Sequence, residues 1–216
     1  GNDPADFPKL PQTPEIGLQL HVGNLSAALQ RVIFAASAED YSHEILTGIK
    51  AEFSANTLTL AAADGFRLAR EVVTLATETV VDPFSVVIPA AALKELLRIL
   101  KAQPQDTALL FATNDPPHPT QAQFLCGDVL LTTQLLDVDR YPDYQRIIPD
   151  LATYPTTVTL RRTALLKACQ RAQIFSPHLV YLNINPASSN SAKGELTVKA
   201  EGPDAGHGET VLDAEI

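Results

Sequence analysis

The spacing of apolar residues switches between two periods along this chain. Apolar and polar positions alternate through Leu18-Gln19-Leu20-His21-Val22, the signature of a half-buried strand. Apolar residues then recur every three or four positions at Leu25, Leu29, Val32, Ile33 and Ala36, which predicts a helix capped by Asn24 and running to about Ser37. Past that point the period returns to two. Segments around 45–53, 57–63 and 66–76 predict strands, broken by turns at Ser54-Ala55-Asn56 and Asp64-Gly65. A strand over Phe84 to Ile88 leads through Pro89, a favoured first helical residue, into a helix over roughly 90–102. Strands are expected again at 107–112, 121–126 and 129–136, joined by a loop from Asn114 to Pro119 and a tight turn at Gly127-Asp128. Ahead of all this, Pro4, Pro8, Pro11 and Pro14 make residues 1–16 an extended arm or linker.

Strand, helix and three strands therefore occur twice within 17–137, and the series begins again. A strand is expected over Thr157 to Arg161, a helix over Arg162 to Phe175, and strands near 180–184, 195–200 and 209–215. At an offset of 140 residues, Leu18-Gln19-Leu20 aligns with Val158-Thr159-Leu160, while Leu25, Ala28, Gln30 and Arg31 match Leu165, Ala168, Gln170 and Arg171. Identities in register with the same order of elements argue for duplication. Duplication at this length points to a modular array rather than a single compact enzyme. The expected fold class is α+β, with helices covering one face of antiparallel sheets. The expected organisation is a linker over 1–16, a complete domain over 17–137, a crossover over 138–155 and half a domain over 156–216.

Charge changes the picture. The chain carries 16 basic and 25 acidic residues, a net charge of −9 that argues at first against a polyanionic partner. Distribution matters more than the total. The three helix windows 24–37, 89–102 and 162–175 hold seven of the basic residues (Arg31, Lys94, Arg98, Lys101, Arg162, Lys167, Arg171) and one acidic residue, Glu95. At about 100° per residue, Lys94, Arg98 and Lys101 share one side of their helix, opposite Leu93, Leu96 and Leu100. Lys167 and Arg171 likewise share a flank, apart from Leu165, Cys169 and Ala172. Any one such helix reads as an ordinary solvated face. Three in one acidic chain predict a positive lining that attracts phosphates without reading bases, because nothing supplies a recognition helix or a base-stacking aromatic cluster.

Other chemistries find little support. Cys126 and Cys169 lie 43 positions apart with no neighbouring ligand pattern, and read as small buried hydrophobes. Five histidines (His21, His43, His118, His178, His207) are scattered without metal-ligand spacing, so no metal or cofactor is expected. There is no phosphate loop, nucleophile elbow or zincin motif. Asp64 beside Arg67 offers an acid–base pair on paper, but an Asp-Gly turn between strands explains it more simply. No apolar run approaches membrane-spanning length and the first residues lack the build of a signal peptide, which makes the cytoplasm the expected location. The chain has no methionine and opens Gly1-Asn2-Asp3, which reads as a piece of a longer polypeptide.

Four stretches resemble the bacterial DNA polymerase III beta subunit family, the sliding clamps. Asp6 to Pro11 is similar to that family's junction between first and second domains, and Leu29 to Ser37 to the first helix of its second domain. Asp64-Gly65-Phe66-Arg67-Leu68-Ala69 is similar to its Asp-Gly-His-Arg-Leu-Ala segment. Tyr141-Pro142-Asp143-Tyr144-Gln145-Arg146-Ile147-Ile148-Pro149 is similar to its crossover into the third domain. The last two are the most specific. The resemblance implies a DNA-clamp (processivity-fold) ring of repeated domains around double-stranded DNA, held without regard to sequence and normally a head-to-tail homodimer of three-domain chains. It implies a non-catalytic scaffold whose partners are the replicative polymerase, the clamp loader and other proteins bearing a short clamp-binding peptide.

On that resemblance the DNA-facing residues are Arg31, Lys94, Arg98, Lys101, Lys167 and Arg171. The partner-peptide cleft takes Leu46, Ala63, Gly65, Phe66, Arg67, Leu68, Pro142, Arg146 and Ile147, a mix of aliphatic walls, a glycine that admits a peptide backbone and arginines that anchor polar ends. Leu46, Leu68 and Ile147 also read as plain core. The chain departs from the family pattern at Phe66, where histidine is common, at Ala63, where threonine is common, and at Ala90 and Ala91, where basic residues are common. The family's last strand, which completes the cleft, is not in this sequence. An interaction module without DNA contact is the competing expectation.

Overall fold

The computed structural model describes residues 17–38, 44–75, 82–104, 106–114, 119–186, 193–202 and 206–216. The expected arm over 1–16, His43, His118 and most of the Asn114–Pro119 loop lie outside them. The chain divides into two compact units, Gly1–Gln145 and Arg146–Ile216.

In the first unit the described elements run β1 (Leu18–His21), α1 (Val22–Val32), β2 (Gly48–Ser54), β3 (Thr57–Ala63), β4 (Leu68–Thr74), β5 (Phe84–Pro89), α2 (Ala90–Lys101), β6 (Ala108–Thr113), β7 (Gln121–Cys126) and β8 (Val129–Gln134). Both expected repeats are present, but each lends its first strand to the other. β1 pairs with β6 and β5 pairs with β2, which gives two antiparallel sheets ordered β1-β6-β7-β8 and β4-β3-β2-β5. The exchange leaves no local trace in the sequence. A strand's period says which face is buried but not which neighbour supplies its hydrogen bonds.

One core serves both sheets. α1 buries Val22, Leu25, Ala28, Leu29 and Val32, and α2 buries Ala90, Leu93, Leu96 and Leu100. The two helices pack on one another. From the strands, Phe53 stacks between Phe84 and Phe111 with ring centroids 4.6 and 4.8 Å away. Offset stacking of this kind adds to the burial of three large rings. Gly48 is a forced choice, since a Cβ there would stand 2.4 Å from Val87 Cγ1 and 2.9 Å from Leu136 Cδ1.

The first helix departs from expectation at both ends. It begins at Val22, and His21 occupies the N-cap position without a side-chain cap; Asn24 falls inside the first turn. Val22 is buried, so the last inward position of the strand becomes the first inward position of the helix. After Val32 the chain tightens into a 3-10 turn over Ile33–Ala35 instead of continuing to Ser37. Val32, Ile33 and Phe34 are weak helix formers in a row, which favours an early end.

A second, smaller core lies on the other face of the β4-β3-β2-β5 sheet. After β8 the chain bridges Leu136 to Val87 and then crosses that face. Tyr141 and Tyr144 cluster with Ala61 and Val87, flanked by Ile45, Leu68, Leu136 and Val138. The Tyr141 hydroxyl donates to the carbonyl of Ala61 at 3.1 Å, and the Tyr144 hydroxyl donates to the Glu52 carboxylate.

The second unit contains α3 (Arg162–Ala172), β9 (Tyr181–Pro186), β10 (Lys193–Gly202) and β11 (Gly206–Glu215), with the strands ordered β11-β10-β9. Its core is small: Ala168 and Ala172 pack against Leu196, Val198, Ala200 and Ala214. α3 is three residues shorter than expected. The expected strand over 157–161 is reduced to one antiparallel bridge, Thr159 with Glu215. In the first unit such a strand gains its ladder from the other repeat, and one repeat lies among the described residues of the second unit.

Candidate functional site

α2 divides as its sequence dictates. Leu93, Leu96 and Leu100 are buried while Lys94, Arg98 and Lys101 are exposed. Arg98 is engaged one turn back, its guanidinium 2.9 Å from Glu95. Lys94 and Lys101 have no ion pair among the described residues. Two ammonium groups without an ion pair among the described residues therefore share one exposed helix face.

Arg31 sits in the last turn of α1 with its side chain mostly exposed, 2.5 Å from Glu71 of β4. Glu71 lies opposite Leu60 in the ladder, and Leu60 is buried in the main core, so Glu71 is on the helix-bearing side of the sheet. Arg31 is therefore on the same layer as α2 but turned toward the β4 edge and partly neutralised. In the second unit, Lys167 and Arg171 are exposed on α3.

The β3–β4 turn gathers five of the expected peptide-contact residues. Asp64 organises it: its carboxylate accepts from the backbone N–H of Phe66 at 3.0 Å and of Arg67 at 2.7 Å, and from the Arg67 guanidinium at 2.6 and 2.9 Å. Hydrogen bonds to the charged form hold this carboxyl down near 2, the Arg67 backbone contributing most, then the Arg67 side chain and the Phe66 amide. Asp64 is thus a turn-former committed to its own loop, without the free lone pairs of a general base. Gly65 takes a positive φ of 88°, a conformation glycine reaches without strain. The turn holds Phe66 outward with 98% of its surface exposed.

Around that turn, Ala63 is buried, and Leu68 is half-buried against the Tyr141–Tyr144 cluster. Leu46 is half-buried in a 3-10 turn over Glu44–Thr47, where its carbonyl accepts from Ser37, and Pro142 is exposed. Arg146 and Ile147 are exposed and fall in the second unit. Tyr141, Tyr144 and Glu52, which fasten the chain behind this turn, were not anticipated. Two tyrosines three residues apart in a proline-bounded stretch are a signal for the fastening, though not for Glu52 as its partner.

Among the described residues no group of three metal-ligating side chains comes together, and no helix is long and apolar enough to cross a membrane. Cys126 is buried, and burial pushes its thiol pKa up; neither cysteine forms a disulfide.

Comparison with known proteins gives a consistent result. Residues 19–143 match the family model described as DNA polymerase III beta subunit, central domain. The beta sliding clamp of Synechocystis sp. is 33% identical over 227 residues, covering 100% of this chain and 56% of that protein. The beta sliding clamp of Synechococcus elongatus is 32% identical, covering 98% of this chain and 54% of its own length. The crystal structure of the DNA polymerase sliding clamp from Bacillus subtilis superposes with a TM-score of 0.82 at 26% identity, over 99% of this chain and 53% of that one. The chain spans about half the length of the relatives it matches.

Proposed function

This chain belongs to the DNA polymerase III beta subunit family, and from that premise we propose that it serves as part of a sliding clamp, a scaffold that surrounds duplex DNA and tethers a replicative polymerase to it. One observation carries the reading: an acidic chain of net charge −9 keeps Lys94, Arg98 and Lys101 exposed together on one helix. Phosphate attraction of this kind is indifferent to sequence and falls with salt, which suits a body that must move along DNA. Arg31, Lys167 and Arg171 extend the proposed DNA-facing set. On this reading 17–137 is the complete middle clamp domain, 138–155 the crossover and 156–216 the first half of the third domain, in a head-to-tail ring when the full set of domains is present. The proposed role is non-catalytic, needs no cofactor and belongs to the cytoplasm.

The proposed partner site is the β3–β4 turn with its surroundings: Leu46, Ala63, Gly65, Phe66, Arg67, Leu68 and Pro142, joined by Arg146 and Ile147. Its ligand would be the clamp-binding peptide of the polymerase, the clamp loader and similar proteins. The half-buried Leu68 and the exposed Phe66 and Arg67 support it by offering apolar surface beside a fixed cation.

The decisive experiment places Lys94→Glu, Arg98→Glu and Lys101→Glu together in a clamp carrying all its domains. Loss of processive synthesis with an intact ring is the expected outcome. Unchanged loading and processivity would favour an interaction module without DNA contact.

A further inference from the structure

Arg67 reaches the surface with its charge already answered. Within the β3–β4 turn the Asp64 carboxylate accepts four hydrogen bonds, two on each oxygen. That fills the roughly four lone-pair sites a carboxylate has. Oδ1 takes the backbone N–H groups of Phe66 and Arg67, at 3.0 and 2.7 Å. Oδ2 takes both donors on one edge of the Arg67 guanidinium, Nε at 2.9 Å and Nη2 at 2.6 Å. The Asp64 side chain is 13% exposed and that of Arg67 60%, so solvent meets the guanidinium with the carboxylate set behind it. The whole arrangement is made by residues 64–67 and draws on no other segment of the chain.

Charge and geometry then limit what Arg67 can recognise. Its remaining guanidinium N–H donors have no partner among the described residues and are free for a ligand. Asp64 stays ionised well below neutral pH, its pKa held near 2, so the pair carries no net charge under ordinary conditions. A ligand carboxylate arriving at Arg67 would meet a positive and a negative group close together, and its Coulomb gain would be small. A carbonyl oxygen carries no charge for Asp64 to repel, and it keeps its hydrogen bonds to the free N–H groups. The surroundings add to the difference. Phe66 is 98% exposed and Leu68 half-buried, and an apolar neighbourhood raises the cost of stripping water from a charged group.

Resting on the reading of the β3–β4 turn as a partner site, we infer that Asp64 sets its specificity. Arg67 takes an uncharged carbonyl of an apolar peptide segment, from the main chain or a side-chain amide, and discriminates against a carboxylate. Asp64 is a positioning residue, in contact with Arg67 and not with the peptide. An arginine lacking such a partner would favour the reverse, paired capture of an acidic group.

The test uses a clamp carrying all its domains, with three synthetic probes followed by isothermal titration calorimetry. The neutral probe is the peptide Gln-Leu-Ser-Leu-Phe, acetylated and amidated. One charged version has a free C-terminal carboxylate, and the other has glutamate in place of the glutamine. The wild-type clamp is expected to bind the neutral probe about fivefold tighter than at least one charged version. Asp64→Asn keeps an oxygen for the two backbone amides but removes the charge, and should erase or invert that preference. Arg67→Gln leaves Asp64 unanswered and should widen it. A turn that had merely lost its shape would weaken all three probes alike, so the ratio between probes reports charge and not folding. Equal binding of the three probes by the wild type, or a preference that Asp64→Asn leaves unchanged, overturns the inference while the site stands. Failure of every probe to bind overturns the site itself, and the inference with it.

Discussion

Arg31 in the last turn of α1 meets Glu71 of β4 at 2.5 Å, on the side of the sheet that carries the helices. The contact sets a cation among the proposed DNA-facing residues against a carboxylate only one strand from the sheet's interior. A paired guanidinium must give up its partner, or share it, to reach a phosphate.

Glu71→Gln should therefore tighten binding of duplex DNA. It removes the competing charge and leaves Arg31 in place. The measurement is the slope of log K against log salt: release of one cation to a phosphate steepens it by about 0.9. A flatter slope, or weaker binding, would remove Arg31 from the interface.

The α2 cations are not equivalent. Lys94 and Lys101 have no ion pair among the described residues, while Arg98 is bound to Glu95 one turn away. Replacing Lys94 and Lys101 with alanine should lower the same slope by about 1.8, and Arg98→Ala by less than half of that. Equal losses at Arg98 and Lys94 would mean that the Glu95 contact opens when DNA arrives.

Much of this could be read in the sequence, and the reasons for the failures are physical. The period-two run over 121–126 became β7 with the same bounds, because one face lies in the main core and the alternation is enforced; the run over 57–63 became β3 with the same bounds although Leu60 to Ala63 are buried in succession, Ala61 in the second core. The charge split of α2 was equally legible, since Leu93, Leu96 and Leu100 fix the buried side and geometry does the rest. Strand partners were not legible. Leu18–His21 and Phe84–Pro89 are paired by the other repeat, and no residue within either strand encodes that choice. The helix start at Val22 was missed because Asn24 is a good cap by type, while burial of Val22 decides the boundary. Tyr141 and Tyr144 escaped because the second core forms on a sheet face that alternation alone marks as solvent.

The β3–β4 turn should loosen in acid. Asp64 has its pKa near 2 in the folded chain against an ordinary 3.8, so its contribution is complete above the ordinary value and disappears as pH falls toward 2. Amide resonances of Phe66 and Arg67 should move together with a midpoint near 2, and Asp64→Ala should abolish that titration and speed exchange of both amides. A midpoint near 4 would show that the Arg67 contacts do not persist in solution.

The Tyr141–Tyr144 fastening gives the opposite pH signature. Burial pushes the Tyr141 hydroxyl up to about 12 from an ordinary 10, and burial with the neighbouring Glu52 carboxylate raises Tyr144 as well. A raised pKa in the folded state contributes stability in full below 10, and that contribution is lost as pH climbs toward 12. Absorbance titration of the tyrosines should thus show at least one group ionising near 12, together with loss of the second core. Tyr144→Phe should cost about 1.5–3 kcal/mol in urea unfolding, the usual range for a hydrogen bond to a charged group. Because Glu52 keeps Lys50 at 3.2 Å, its carboxylate is not orphaned, which places the expected loss toward the lower end. A Tyr144→Phe chain as stable as wild type, with Tyr141 ionising near its ordinary 10, would show that residues 138–145 do not pack on the sheet.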